Sequence, residues 1–329
     1  MNKYQPHKFS IAPMMDWTDR HCRFFHRLMT RHALLYTEMV TTGAVIHGDR
    51  EHLLGFSGEE HPVALQIGGS DPGECAQAAQ IGEQFGYDEI NLNVGCPSDR
   101  VQSGRFGACL MAEPATVADC VAEIKSAVSI PVTVKSRIGI DDQDEDEDLD
   151  KFIDTVAAAG CERFIVHARK AWLSGLSPKE NRDVPPLNYG RVQRLAARRS
   201  DLEIVINGGI CDLDLATELS EDLSGVMLGR AAYQDPWILS EVDEVFFGTE
   251  NAAISRYEVV EKMTEYAKCA LSGGAQLKHI ARHILGLYQG KPGARAWRRC
   301  LSENMHKDDA GPELLLQAAN LLSEQAEAA

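Results

Sequence analysis

Short apolar runs rich in β-branched residues recur along the chain as far as residue 228, and segments with helical periodicity separate them. Such runs are typical of buried strands, and apolar residues three and four positions apart are typical of amphipathic helices. Strands that alternate with helices predict a parallel sheet, and eight of them fit a closed TIM (β/α)8 barrel. The predicted strands are residues 9–13, 34–38, 63–66, 89–93, 132–135, 164–167, 204–207 and 226–228.

The alternation stops near Gly248, and the chain beyond it shows helical periodicity alone. Apolar residues recur three and four positions apart over residues 257–271 and again over residues 277–288, which predicts two helices. A chain of 329 residues is also long for one domain. We therefore predict an α/β barrel domain, residues 1–248, followed by an all-α helical bundle domain, residues 249–329.

Most predicted strands end in a polar residue or in glycine. A barrel of parallel strands brings these ends together at the face that carries the active sites of barrel enzymes. Cys96 follows the fourth predicted strand and stands between Gly95 and Pro97. A thiol in this position is a candidate reacting group, whereas the other cysteines, like any free cysteine, fit the role of small packing residues.

Candidate phosphate ligands follow the last two predicted strands, where barrel enzymes often bind phosphate through glycine backbone amides and an arginine. These candidates are Asn207, Gly208, Gly209, Gly229 and Arg230. Lys135 and His167 end two neighbouring strands and would complete a basic pocket. The alternatives are glycines that serve only as turns, a lysine on the surface and a histidine satisfied within the core.

Cysteine spacing and charge limit the other classes of function. The nine cysteines include no Cys-x-x-Cys pair, so we expect reduced thiols and no metal site. The net charge of -16 argues against a nucleic-acid partner, yet residues 278–307 hold seven basic residues and one acidic residue. A polar N-terminus and the lack of a long apolar stretch predict a cytoplasmic protein without a membrane segment.

Seven segments resemble, in the same order, the tRNA-dihydrouridine synthase family, and they extend over nearly the whole chain. They are Ala12-Pro13-Met14-Met15-Asp16-Trp17-Thr18-Asp19, Gln66-Ile67-Gly68-Gly69, Asn91-Leu92-Asn93-Val94-Gly95-Cys96-Pro97, Val134-Lys135-Ser136-Arg137, Ile165-Val166-His167-Ala168-Arg169, Asn207-Gly208-Gly209 and Gly229-Arg230. An eighth segment, residues 175–182, is similar to the bacterial branch of this family that modifies positions 20 and 20a of the tRNA D-loop.

The resemblance implies an enzyme that uses FMN and NADPH to reduce uridine in tRNA to 5,6-dihydrouridine. It implies that reduced FMN delivers hydride to C6 of the uracil and that Cys96 gives a proton to C5. A thiol with a pKa of roughly 8.5 is mostly protonated at neutral pH, yet acidic enough for this transfer. The residues that the resemblance assigns to FMN are Pro13, Met14, Met15, Gln66, Lys135, His167, Asn207, Gly208, Gly209, Gly229 and Arg230.

A uridine of folded tRNA must leave its stack before it can enter a barrel, and backbone contacts have to offset the cost. The basic segment 278–307 is the predicted platform, and a merely solvated charged face is the alternative. The resemblance assigns Lys179, Arg182, Arg295 and Arg298 to tRNA and Asn93 to the uracil. Arg137 and Arg169 fit either phosphate or RNA. We expect a monomer.

Two other functions stay open on the sequence. A flavin barrel that reduces a free pyrimidine, as dihydroorotate dehydrogenases do, would leave the basic helical segment without a purpose. A non-catalytic tRNA-binding protein would tolerate the loss of Cys96. Because the sequence contains no glycine-rich dinucleotide fingerprint, the prediction of NADPH rests on the resemblance alone.

Overall fold

The computed structural model describes residues 5–98, 104–251 and 254–327, and its centre is a closed barrel of eight parallel strands in sequential order. The predicted barrel is thereby confirmed. The strands are β1 Phe9–Ile11, β2 Leu34–Thr41, β3 Val63–Gly68, β4 Glu89–Val94, β5 Val132–Arg137, β6 Arg163–His167, β7 Glu203–Asn207 and β8 Gly225–Leu228. Several strands run slightly past their predicted ends, and β2 extends furthest, to Thr41.

Side chains along each strand alternate between two environments, because successive residues of a strand point to opposite faces. In β4, Ile90 and Leu92 pack in the main apolar core between the barrel and its helices. Asn91 and Asn93 point into the barrel, where they bond to residues of β3 and β5. A smaller apolar cluster fills the rest of the interior and includes Tyr36, Ile165 and Met227.

Helices cover the barrel, and several begin at a residue that caps them. Asp19, Asp71 and Ser255 each accept hydrogen bonds from backbone N–H groups of a first turn. The helices around the barrel are α1 Arg20–Arg27, α2 Thr42–His47, α3 Arg50–Leu54, α4 Pro72–Phe85, α5 Pro114–Ala127, α6 Glu147–Ala158, α7 Tyr189–Arg198, α8 Leu213–Ser220, α9 Arg230–Gln234 and α10 Val242–Phe247. Short 3-10 helices occur at Pro6–Lys8, Gly58–Glu60, Gly107–Ala112, Glu180–Arg182 and Pro236–Glu241.

The acidic residues 141–150 lead into α6, and two of them link this helix to α7 through ion pairs. Asp144 accepts hydrogen bonds of 2.8 Å from two backbone N–H groups at the start of α6. Asp146 and Asp150 both pair with Arg191 of α7, whose side chain is almost fully buried. The run therefore has a structural role, because a buried guanidinium without an anionic partner would be strongly destabilising.

The chain after residue 254 is helical, with α11 Arg256–Ser272, α12 Leu277–Ala281, α13 Ala294–Asn304 and α14 Glu313–Glu327. The helix predicted over residues 257–271 is confirmed, but the helix predicted over residues 277–288 is wrong beyond Ala281. We attribute this early end to tertiary contacts. Arg282 and His283 reach back to Asp19 at 2.8 and 3.0 Å. Gly286 passes so close to α9 that a Cβ would lie 2.5 Å from a backbone oxygen.

The barrel and the C-terminal helices share one apolar core, because Phe9, Ile280 and Trp297 belong to the same cluster. The division into domains 1–248 and 249–329 stays a prediction, as do the cytoplasmic location and the monomeric state. All nine cysteines are free. In the part of the chain that the structure describes, no helix has the length and apolarity to span a membrane, and no side-chain group is arranged to hold a metal ion.

Candidate functional site

The loop after β4 holds Cys96 in a defined position at the mouth of the barrel. The backbone N–H of Cys96 donates to the side-chain oxygen of Asn93 at 3.0 Å, and its carbonyl oxygen accepts from Ala108 at 2.9 Å. Gly95 lies close to β5, since a Cβ there would come within 3.3 Å of that strand's backbone. The thiol is half-buried, 3.6 Å from the hydroxyl oxygen of Ser98. The thiol of Cys96 is therefore partly accessible, while the backbone of the residue is restrained.

Asn93 and Gln66, two predicted site residues, lie side by side at the same mouth. Nδ2 of Asn93 donates to Oε1 of Gln66 at 2.9 Å, and Nε2 of Gln66 donates to Asn91 at 2.7 Å. Oδ1 of Asn93 accepts from the backbone N–H groups of Gly95 and Cys96. Each amide nitrogen carries two hydrogens. In these contacts each nitrogen uses one hydrogen, so the second N–H of each residue is available to a ligand.

Lys135 lies opposite Asn93 in the register of β4 with β5. Burial lowers the pKa of Lys135 to about 7, and the positive charge of Arg137 acts in the same direction, whereas Cys96 opposes both. An amine with a pKa near neutrality responds to a bound anion by taking up a proton. The barrel mouth thus combines Cys96, a candidate proton donor, with Lys135, whose charge depends on the ligand that is bound.

A basic pocket begins at the end of β6, where two buried nitrogens have no hydrogen-bond partner among the described residues. They are Nδ1 of His167 and Nε of Arg169. Burial, together with the charges of Arg137, Lys135 and Arg169, holds the pKa of His167 far below its usual range, so the imidazole is neutral. Unpaired buried polar atoms are costly, and they indicate a place for a hydrogen-bonding ligand. The sequence left Arg169 undecided between phosphate and RNA, and in the structure it lies near enough to His167 for its charge to act on the imidazole.

The turn after β7 packs directly against His167. Gly208 and Gly209 have φ angles of 114° and 67°, which favour glycine. A Cβ on Gly208 would lie 3.3 Å from the imidazole ring. Tyr189, which the sequence analysis missed, donates from its hydroxyl to the carbonyl oxygen of Gly208 at 2.7 Å. Nδ2 of Asn207 donates to β8 at 2.7 Å, so the turn is held on both sides.

The turn after β8 closes the ring of predicted cofactor residues. A Cβ on Gly229 would lie 3.8 Å from the sulfur of Met14, so the loop after β1 lies beside this turn. Arg230 pairs with Asp183 at 2.8 Å. Met15, the next residue of the β1 loop, is 56% exposed and lines an open cleft. The structure therefore brings the predicted cofactor residues to one end of the barrel.

Arg137 has a structural task that the sequence did not reveal. Its guanidinium donates to the carbonyl oxygens of Gly95, Lys170 and Asn181 at 3.0, 2.9 and 2.9 Å. The side chain is 4% exposed. Arg137 therefore ties the Cys96 loop to the loop after β6 through Nε and Nη1, which both donate to the backbone.

A cleft of about 2200 Å³ opens beside Cys96. Met15, Glu38 and Phe106 line it at the barrel mouth, and α11 forms much of the opposite wall. Pockets for small ligands usually measure about 300–1,000 Å³. The cleft is large enough to admit part of a macromolecule to the thiol.

The four predicted tRNA-binding residues lie in two places. Lys179 and Arg182 are exposed on the loop after β6, and Arg182 is near enough to the basic pocket to interact with its charges. Arg295 and Arg298 are on α13, which buries Trp297 on its inner face. Both arginines are at least partly exposed on the outer face.

Comparison with known proteins places the chain in one family. A model of the family described as dihydrouridine synthase (Dus) matches residues 10–324. The chain is 59% identical over 312 residues to the tRNA-dihydrouridine(20/20a) synthase of Vibrio vulnificus, covering 94% of this chain and 95% of the relative. It is 58% identical over 322 residues to the protein of the same name from Yersinia pestis, covering 98% and 93%. The resemblance drawn from the sequence motifs is confirmed.

Two solved structures of low sequence identity share the fold. A 2-naphthoyl-CoA reductase aligns with 72% of this chain and 50% of its own length, with a TM-score of 0.56 and 11% identity. Morphinone reductase aligns with 75% of this chain and 89% of its own length, with a TM-score of 0.53 and 12% identity. At this level of identity the likeness concerns the fold alone.

Proposed function

The chain belongs to the dihydrouridine synthase family, and from that premise we propose that it reduces uridines 20 and 20a of the tRNA D-loop to 5,6-dihydrouridine. This reaction adds a hydride and a proton across the C5=C6 bond of uracil. The observation that carries the proposal is the position of Cys96. Its half-buried thiol lies on a restrained loop, at the edge of a cleft that admits a macromolecule.

FMN is the proposed cofactor because the pocket beside this loop fits a phosphorylated flavin. The orphaned nitrogens of His167 and Arg169, the turn at Gly208 and the guanidinium of Arg230 together suit a phosphate. When bound, FMN would accept hydride from NADPH and pass it to C6 of the uracil. The residues that would hold it are Pro13, Met14, Met15, Gln66, Lys135, His167, Arg169, Asn207, Gly208, Gly209, Gly229 and Arg230.

Cys96 supplies the proton in this mechanism. Hydride addition at C6 leaves enolate charge on the uracil, and the thiol quenches it at C5. Asn93 orients the base with its remaining N–H, because its oxygen is already bonded to the loop that carries Cys96. Asn93 therefore offers the base a hydrogen-bond donor and no free acceptor, since its oxygen already accepts two hydrogen bonds. When FMN is bound, Lys135 would supply positive charge beside the ring, where the reduced form carries negative charge.

Binding of reduced FMN near pH 8 is expected to take up about one proton through Lys135, because the anionic reduced ring beside a lysine with a pKa of about 7 favours the charged form of the lysine. The FMN phosphate, with a pKa of about 6, is already doubly charged there. Proton uptake means that affinity falls as pH rises above 7. Calorimetry in two buffers of different protonation enthalpy measures the uptake. An equal uptake in Lys135→Met would contradict the assignment.

The tRNA is held by the exposed basic residues of α13 and of the loop after β6. Counterion release makes such contacts dependent on salt. We expect Arg295→Ala and Arg298→Ala each to weaken tRNA binding and to reduce the slope of log affinity against log salt by about one. Lys151, exposed on α6, offers a matched control, and Lys151→Ala should leave the slope unchanged. Wild-type slopes in both arginine variants would refute this platform.

The proposed function is tested with purified protein, FMN, NADPH and tRNA that lacks modifications. We expect dihydrouridine at positions 20 and 20a and negligible turnover of free uridine, because only tRNA engages the basic residues that help to extract the base. Comparable turnover of free uridine would instead favour a free-pyrimidine reductase. Bound tRNA without any product would favour a non-catalytic binding protein.

A further inference from the structure

Hydrogen bonds run head to tail through the barrel interior from the Cys96 loop to the opposite end of β4. A loop N–H donates to Asn93 at 3.0 Å, and Asn93 donates to Gln66 at 2.9 Å. Gln66 donates to Asn91 at 2.7 Å, and Asn91 donates to Thr133 at 2.8 Å. Thr133 donates to Glu89 at 2.7 Å. These five side chains, which we call the interior relay, are at most 8% exposed.

Both ends of the interior relay require its hydrogen bonds to be donated in the same direction, from the Cys96 loop toward Glu89. At the loop end the partners of Asn93 are backbone N–H groups, which can only donate, so its oxygen must face them. At the other end the Glu89 carboxylate, paired with Arg163 at 2.9 Å, can only accept, so the hydroxyl of Thr133 must donate. The three amides between these ends then satisfy every contact in one orientation, with oxygen toward the loop and nitrogen toward Glu89.

This direction decides which atoms the barrel mouth offers to a ligand. The oxygen of Asn93 accepts two hydrogen bonds from the Cys96 loop, the oxygen of Gln66 accepts one from Asn93, and each nitrogen keeps one N–H beyond these contacts. The mouth therefore presents donors, which suit the carbonyl oxygens of a flavin or uracil ring. A flipped amide would place an oxygen against such a carbonyl and replace attraction with repulsion.

We propose that Glu89 and Thr133 are positioning residues that set the orientation of the Gln66 and Asn93 amides through the interior relay. The proposal rests on the proposed function, since it concerns how that site recognises its ring ligands. Glu89 and Thr133 form the end of the interior relay that is farthest from the Cys96 loop. They act on the ligand only through the amides.

The test uses Thr133→Val, which has the same shape but cannot join Asn91 to Glu89. We expect FMN to bind the apoprotein about tenfold more weakly, as for one lost or reversed buried hydrogen bond, and the visible absorption of the bound flavin to shift. Thr133→Ser keeps the hydroxyl and should keep both at wild-type values. Thr264→Val is the matched control, because Thr264 is equally buried and donates to the backbone carbonyl oxygen of Val260 at 2.8 Å, outside the interior relay.

Wild-type affinity and spectrum in Thr133→Val, or an equal loss in Thr264→Val, would overturn the proposal. If the wild-type protein itself bound no FMN, the proposed function would fail instead, so the two failures are distinguishable. Neutron diffraction from deuterated wild-type protein gives a second reading that needs neither a variant nor a ligand. Deuterium on the Gln66 atom facing Asn91 supports the interior relay, and deuterium on the atom facing Asn93 refutes it.

Discussion

Replacement of Cys96 by alanine is expected to slow the reduction of uridine in tRNA by about 10²–10⁴-fold, the range over which a positioned general acid acts. FMN and tRNA should still bind, because the loop is held by the backbone contacts of residue 96 with Asn93 and Ala108, which the substitution leaves in place. The measurement is the rate at which tRNA reoxidises the prereduced enzyme in a single turnover. FMN content and tRNA affinity are determined on the same preparation.

Cys109 offers a matched control for this experiment. Its thiol is also half-buried, and it donates to the carbonyl oxygen of Phe106 at 3.2 Å in the segment that follows the Cys96 loop. Cys109→Ala should keep the rate within about twofold of the wild type, as expected for a thiol without a chemical role. A wild-type rate in Cys96→Ala would show that the proton comes from another group.

Loss of a pocket arginine is expected to weaken FMN binding by about 10- to 100-fold, since a hydrogen bond to a charged group contributes about 1.5–3 kcal/mol. The variants are Arg169→Gln and Arg230→Gln. Riboflavin, which lacks the phosphate, should bind both variants as it binds the wild type. Fluorescence titration of the apoprotein with each flavin gives the two affinities, and their ratio isolates the phosphate contribution.

Arg182→Ala serves as the control, because Arg182 is exposed near the same charges but is proposed to contact tRNA. It should leave the ratio of FMN to riboflavin affinity unchanged and should lower the affinity for tRNA. Equal weakening of both flavins in the Arg169 and Arg230 variants would show that these arginines support the shape of the pocket and do not bind the phosphate.

The periodicity of apolar residues was sufficient to predict the barrel, but it did not predict the extent of every helix. Strands and the helix over residues 257–271 follow from local alternation of apolar and polar positions, which a sequence displays directly. The helix predicted over residues 277–288 shows the limit of this signal. Its apolar spacing continues to Tyr288, yet the helix ends at Ala281 because Arg282 and His283 bond to Asp19, far away in the chain. A local pattern contains no information about such a partner.

Candidate chemistry was predictable wherever it depends on position along a strand. Gln66, Asn93, Lys135 and His167 all stand near carboxyl ends of strands, and barrel topology brings those ends to one mouth. Arg137 and Arg169 each stand two positions after a candidate residue, Lys135 and His167 respectively, and the sequence could not separate their roles. In the structure Nε and Nη1 of Arg137 donate to backbone carbonyl oxygens, whereas Nε of Arg169 is buried without a hydrogen-bond partner among the described residues.

The amino-acid sequence by itself determined the order of strands and helices and the chemical groups at the barrel mouth, because both are properties of short segments. Tertiary structure alone decided which of those groups already make hydrogen bonds within the protein, and whether each of them donates or accepts. The oxygen of Asn93 is committed to the Cys96 loop, and the interior relay ends at Glu89. Such pairings depend on the register between neighbouring strands, which brings together residues that are distant in the sequence.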